Sequence, residues 1–111
     1  MEITIGKASY DLSFGVAFVR EVDKELGVKH DGVSFGLGLT IALPGLQSYD
    51  PSVLSDILHC ATVTSKKRPS HADLDGLIDD PATDVEALFV EVLREIEGAN
   101  ATKAALKNMR A

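Results

Sequence analysis

Between residues 32 and 48 the chain carries no charged side chain. A stretch of that kind has to be covered, either as the central element of a core or by a partner that docks on it. Its apolar residues alternate strictly from Val33 through Phe35, Leu37, Leu39 and Ile41, which suits a strand. Phe35, Leu39, Ala42, Leu43 and Leu46 equally suit one face of a helix. Pro44 is expected to kink or end whatever precedes it. The pair Gly36 and Gly38 lacks the third glycine and the strand-to-helix order of a dinucleotide fingerprint, so close packing is the better account of both glycines.

The flanking segments are easier to read. Ile3 and Ile5 alternate with Glu2 and Thr4, Gly6-Lys7 offers a turn, and Tyr10 and Leu12 flank Asp11, which predicts a short hairpin. Ser13 is expected to cap a helix over 13–26, with Phe14, Phe18, Val22 and Leu26 on one side and Gly27 as a left-handed stop. Asp50 followed by Pro51 predicts a capped helix over 51–63, striped by Val53, Leu54, Ile57, Leu58 and Ala61. Ser70 and Asp73 form a variant of the capping box before Leu74, Leu77 and Ile78, and that helix should end near Asp80-Pro81. Thr83 is expected to cap the next helix, in which Val85, Leu88, Phe89, Val92, Leu93 and Ile96 make a broad apolar band that stops at Gly98. A basic helix over 101–109 should follow, fraying at its end.

Composition sets the outer limits. At 111 residues and 45% hydrophobic content the chain is one domain with a real core, and a solvated coil is excluded. No window reaches the roughly 18 unbroken apolar residues of a membrane span. The first residues lack a basic region and a long apolar run, so an intracellular location and no membrane partner are expected. Cys60 stands alone, which excludes an internal disulfide and argues against a structural metal site. With a net charge of −6 and no Trp, a basic nucleic-acid-binding surface is disfavoured.

Chemistry is not gathered anywhere along the sequence. His30, His59 and His71 are far apart and none makes a metal-ligand spacing, so each is expected to be a surface or half-buried histidine. His59 and Cys60 are adjacent, and neighbours on a helix point about 100° apart, too far for ready proton exchange; Cys60 should be an inert buried thiol. Asp79-Asp80, with Asp73 and Asp75, lacks the glycine and oxygen spacing of a calcium loop. No nucleophile elbow or phosphate-binding loop occurs. The chain is therefore not expected to be an enzyme, and no cofactor or metal is expected.

Charge is banded in the second half. Lys66-Lys67-Arg68 is followed over 69–99 by nine acids against Arg94 alone, and then by Lys103, Lys107 and Arg110. Such bands are either solvated helix faces or complementary contacts between neighbouring subunits.

The segments ITIGKASYDLSFGVAFVREVDKELGV (residues 3–28) and VSFGLGLTIALPGLQSYDPSVLSDILHCATVTSKKRPS (residues 33–70) resemble the tail assembly chaperones of long-tailed phages and prophages of Gram-positive bacteria. The marks are the hairpin leading into Phe14-Gly15, the helix around 19–24, the segment Phe35-Gly36-x-Gly38-Leu39, and Lys66-Lys67-Arg68-Pro69-Ser70, taken in order and spacing. The likeness fades after Pro81. It implies a small non-enzymatic protein that binds and solubilises the tape-measure protein in the host cytoplasm and is absent from the finished tail. It also implies self-association, sometimes head-to-tail, and a short form of a protein often made in two lengths. The alternative is a structural or connector protein retained in the virion. The resemblance tips the uncharged stretch to a helix over 35–47. The fold expected is mainly α within α+β: a hairpin over 1–12, a core of about five helices through 98, and a basic helix or tail over 99–111. The candidate contacts are Phe35, Leu39 and Leu43 as apolar contact or core, and Lys66, Lys67 and Arg68 as a polar contact.

Overall fold

The computed structural model describes residues 1–34 and 37–107. Strands β1 (Glu2–Ile5) and β2 (Ala8–Asp11) pair antiparallel, with Ile3 opposite Tyr10 and Ile5 opposite Ala8. The two-residue turn needs a positive φ, and Gly6 supplies it at +61°. Ile3 is buried, and β1 lies against α4 (His71–Asp79). After the hairpin the chain stays extended: Leu12 and Phe14 enter the core while the Ser13 amide donates to the Ala61 carbonyl at 2.9 Å. That tie corrects the expected cap. Helix α1 is Val16–Leu26, and it starts from Gly15 with no side-chain cap. Gly27 does end it, though at φ −77° and so without the left-handed conformation.

A second hairpin, β3 (Lys29–His30) with β4 (Val33–Ser34), turns through Asp31 and Gly32, both at positive φ. It takes up the start of the stretch that alternation had suggested as strand, and α2 (Gly38–Gln47) takes it from Gly38 onward. The helical reading of the uncharged stretch thus holds with a later start. Pro44 does not end α2; it sits inside the helix, and the Ser48 amide reaches its carbonyl at 3.0 Å. The helix tolerates this because Pro44 removes one hydrogen bond only a turn before the end.

Helix α3 (Pro51–Ala61) begins as expected, with the Asp50 carboxylate accepting from the Ser52 amide at 3.0 Å. Leu54, Ile57, Leu58, Cys60 and Ala61 are all fully buried, which makes α3 the best-covered element. α4 carries the complete Ser70–Asp73 capping box and inserts Leu74. α5 (Val85–Gly98) is capped by Asp84 and not by Thr83, because the Asp84 carboxylate is the group that reaches the Ala87 amide, at 3.1 Å. It buries Phe89, Val92 and Ile96. α6 (Asn100–Lys107) is no loose tail. It packs on α1, α2 and α5, buries Leu106, and Thr102 donates its hydroxyl to the Ile96 carbonyl. The expected continuation of this helix to 109 lies outside the described residues.

The architecture is a mainly helical α+β fold: among the described residues, a hairpin, α1, a second short hairpin and then five further helices. α2 packs against α1, α3, α5 and α6, so this helical part of the uncharged stretch is the one shared by most of the other helices. Gly38 explains how closely. A Cβ there would lie 2.4 Å from the Val22 carbonyl oxygen, so only glycine lets the start of α2 meet the α1 backbone.

Candidate functional site: an apolar helix face and an ionic cluster

The inward side of α2 is Gly38, Leu39, Ala42 and Leu46, all buried at helical spacing. Leu39 therefore belongs to the core, and Leu43 is half-buried against it. The outward side is uncharged and mostly apolar: Leu37 is 54% exposed, Ile41 50%, Pro44 is exposed one turn further on, and Gln47 is the exposed polar residue at the end. Leu37 holds a left-handed backbone at φ +66° just before the helix, and its carbonyl accepts the Ile41 amide at 3.0 Å. A leucine in that conformation is strained, and glycine would be the ordinary choice. With no charged residue on α2, its polarity cannot be what keeps this face in water. The remaining apolar candidate, Phe35, lies outside the described residues.

The basic loop splits. Lys66 and Lys67 are exposed and line an open groove of about 510 Å³ together with Ser9, Tyr10 and Asp11 of the first hairpin. Arg68 turns inward. Its guanidinium donates to the His59 carbonyl at 2.9 Å and to a Glu21 carboxylate oxygen at 3.3 Å. It thereby caps the C-terminal end of α3 and ties that end to α1, a favourable place for a cation. Arg68 thus carries a structural task that Lys66 and Lys67 do not.

Around Arg68 the fold gathers groups that are distant in sequence. Glu21 and Glu25 come from α1, Asp56, His59 and Cys60 from α3, and His71 from the start of α4. His59 Nδ1 lies 3.7 Å from Glu25 Oε1, and His71 Nε2 lies 3.8 Å from Glu25 Oε2. The two imidazole rings face each other with centroids 3.8 Å apart. His71 Nδ1 is 3.8 Å from Asp56 Oδ1. Burial alone would raise Glu21, but its hydrogen bond with Glu25 and the charge of Arg68 hold it below the ordinary carboxylate value. Glu25 is raised, by burial and then by the Glu21 carboxylate beside it. Burial, followed by the positive charge of Arg68, lowers His59. Cys60 is fully buried, and its thiol is pushed up to about 12, chiefly by burial and then by the charge of Glu25. It is inert as expected.

The histidines gave no hint of this in sequence, because 59 and 71 stand on different helices and their shared neighbour is on a third. A groove of about 540 Å³ between Leu12, Phe14, Val16 and Ala99, Ala101 was equally unannounced. Of the two apolar surfaces, only the α2 face combines exposure with a complete lack of charge.

The fold defines a small, mainly helical α+β domain that presents an uncharged helix face. The family model described as "Phage tail assembly chaperone protein, TAC" matches residues 2–110, and the chain belongs to that family. It is thus a chaperone of phage tail assembly, and the proteins it works on are tail proteins. No curated protein and no solved structure matches the chain. Among the described residues no helix is long and apolar enough to cross a membrane.

Proposed function

We propose that this chaperone binds the tape-measure protein in the cytoplasm of a Gram-positive host, keeps it soluble until the tail tube encloses it, and leaves before the tail is finished. The action is covering a surface, without catalysis. A tape-measure protein is long, helical and apolar along one side, and such a surface aggregates unless a partner masks it. The observation that carries the proposal is the outward face at the start of α2, where Ile41 and, just before the helix, Leu37 are half exposed beside a helix without charge. Leu43 borders this face, and Phe35 precedes it in the same uncharged stretch. Lys66 and Lys67 supply a polar contact that sets orientation, since charge across an interface contributes more to docking and specificity than to affinity. Arg68 supports that contact from inside by holding the loop to α3 and α1. Copies of the chain associate along the client, with the acidic band of 69–99 meeting basic residues of a neighbour in a heterologous arrangement.

Co-expression with the neighbouring long helical reading frame, followed by size-exclusion chromatography with light scattering, tests this. The expected result is a soluble long protein co-eluting with several copies of the chaperone. Ile41→Glu and the double change Lys66→Glu, Lys67→Glu should each deplete the complex while the free chaperone elutes unchanged. A long protein that stays insoluble beside an unaltered chaperone would overturn the proposal. Abundant recovery of the chain by mass spectrometry of purified particles would favour a structural role in the virion.

A further inference from the structure

We propose that Glu25, His59 and His71 form a binding site for a borderline divalent transition metal, zinc in first place, that clamps α1, α3 and α4 together. Each residue offers one ligand atom, and these atoms all lie within 4.8 Å of one another. The carboxylate of Glu25 is approached from both rings, by His59 Nδ1 at 3.7 Å from Oε1 and by His71 Nε2 at 3.8 Å from Oε2. Ligands held about 2.0–2.1 Å from a tetrahedral zinc sit roughly 3.4 Å apart, so small side-chain rotations complete the set. His71 and Glu25 are free to make them, since the His71 side chain is 50% exposed and that of Glu25 26%.

Three further features fit a cation. Two imidazoles and one carboxylate are the donor set of zinc and its neighbours, whereas magnesium and calcium ask for oxygen throughout. Asp56 faces His71 Nδ1 at 3.8 Å, on the other side of the ring from the nitrogen that faces Glu25. At 3.8 Å this is an ion-pair contact and not a hydrogen bond, and a small approach of Asp56 would make it the carboxylate–histidine–metal relay which orients a ligand and raises its basicity. Finally, the carboxylates of Glu21 and Glu25 share the single guanidinium of Arg68, and Asp56 adds a further carboxylate beside His71, a surplus of negative charge that a dication would balance. His59 exchanges its Nδ1 contact with Arg68 for the metal, and Arg68 keeps the His59 carbonyl and Glu21. Water or a partner's side chain fills the open position.

The test uses the full chain free of any histidine tag. Titration with Co²⁺ should give a saturable visible spectrum at one ion per chain, and Zn²⁺ should displace it. Zn²⁺ should also raise the Tm, with EDTA restoring it, while Mg²⁺ in excess does neither. His71→Ala and Glu25→Gln should remove the saturable signal, and Asp56→Asn should weaken binding by about 10–100-fold. His30→Ala, outside the cluster, should bind as the unaltered chain does. Absence of saturable binding overturns the site, as does binding that survives both Glu25→Gln and His71→Ala. Both variants change side chains with solvent access, and circular dichroism confirms that they remain folded.

Discussion

Helices α2 and α3 are adjacent, similar in length and both strongly apolar, yet they use that character differently. In α3 the apolar residues point inward almost without remainder, Ser52 is exposed, and Asp56 turns to the ionic cluster beside His71. In α2 the inward face is equally complete, and the outward face carries Ile41 and Pro44 exposed, with polar but uncharged Gln47 at its end. The composition of α3 is explained by the core of one molecule. The composition of α2 exceeds what that core requires, and the excess supports a surface that meets another protein.

The comparison can be broken or sharpened by experiment. The largest effect should come from Leu58→Ala in α3, where a fully buried side chain leaves a cavity; a loss of about 2–5 kcal/mol is expected in denaturant unfolding. Gly38→Ala comes next. Its Cβ meets the Val22 backbone, which has no flexible end to give way, so about 1–3 kcal/mol should be lost and the start of α2 displaced. If Gly38→Ala proved neutral, the close seating of α2 on α1 would be wrong.

Cys60 tests the dryness of α3 through pH. The folded thiol is raised from 9.0 to about 12, so the folded state holds its proton more tightly than the unfolded chain. Its contribution is fully present below pH 9 and is lost as pH rises toward 12, costing about 1 kcal/mol by pH 10. Comparing unfolding of the chain and of Cys60→Ala between pH 8 and 10 isolates this slope. A smaller and paired effect is expected at the helix starts. Asp50→Ala removes the cap that α3 carries in its own sequence, and Asp23→Ala removes the carboxylate of α1 that accepts the Gly38 amide at 3.0 Å. Each should cost about 1 kcal/mol in thermal unfolding. The smallest stability change belongs to Ile41→Glu, within about 0.5 kcal/mol of the unaltered chain. Its half-exposed side chain leaves no cavity, so a large loss of stability there would assign the outward face of α2 to the core instead.

Those same contrasts show what local chemistry can reveal. Asp50-Pro51 and Ser70…Asp73 were legible because the cap and the amide it satisfies lie within three residues of each other. The stripes of α3 and α5 were legible because burial on one side imposes a helical period. Ser13 and Thr83 failed as caps for a related reason: each looked competent locally, but the Ser13 backbone bonds to Ala61, and Asp84 stands one residue closer to the true start of α5. The cap of α2 had no local signal, since Asp23 lies 15 residues upstream of Gly38.

The sequence by itself determined the hairpin, the capped helices, the inert thiol and the uncharged stretch, all governed by hydrogen bonds and periodicities that act within a few residues. Only the tertiary structure decided that Leu39 turns inward while Leu37 and Ile41 face out, that Arg68 closes α3 while Lys66 and Lys67 stay in solvent, and that Glu25, His59 and His71 meet. Those outcomes depend on the crossing of whole helices. A helix presents every side chain to some direction, and which direction becomes core, surface or site is set by the neighbours that pack against it.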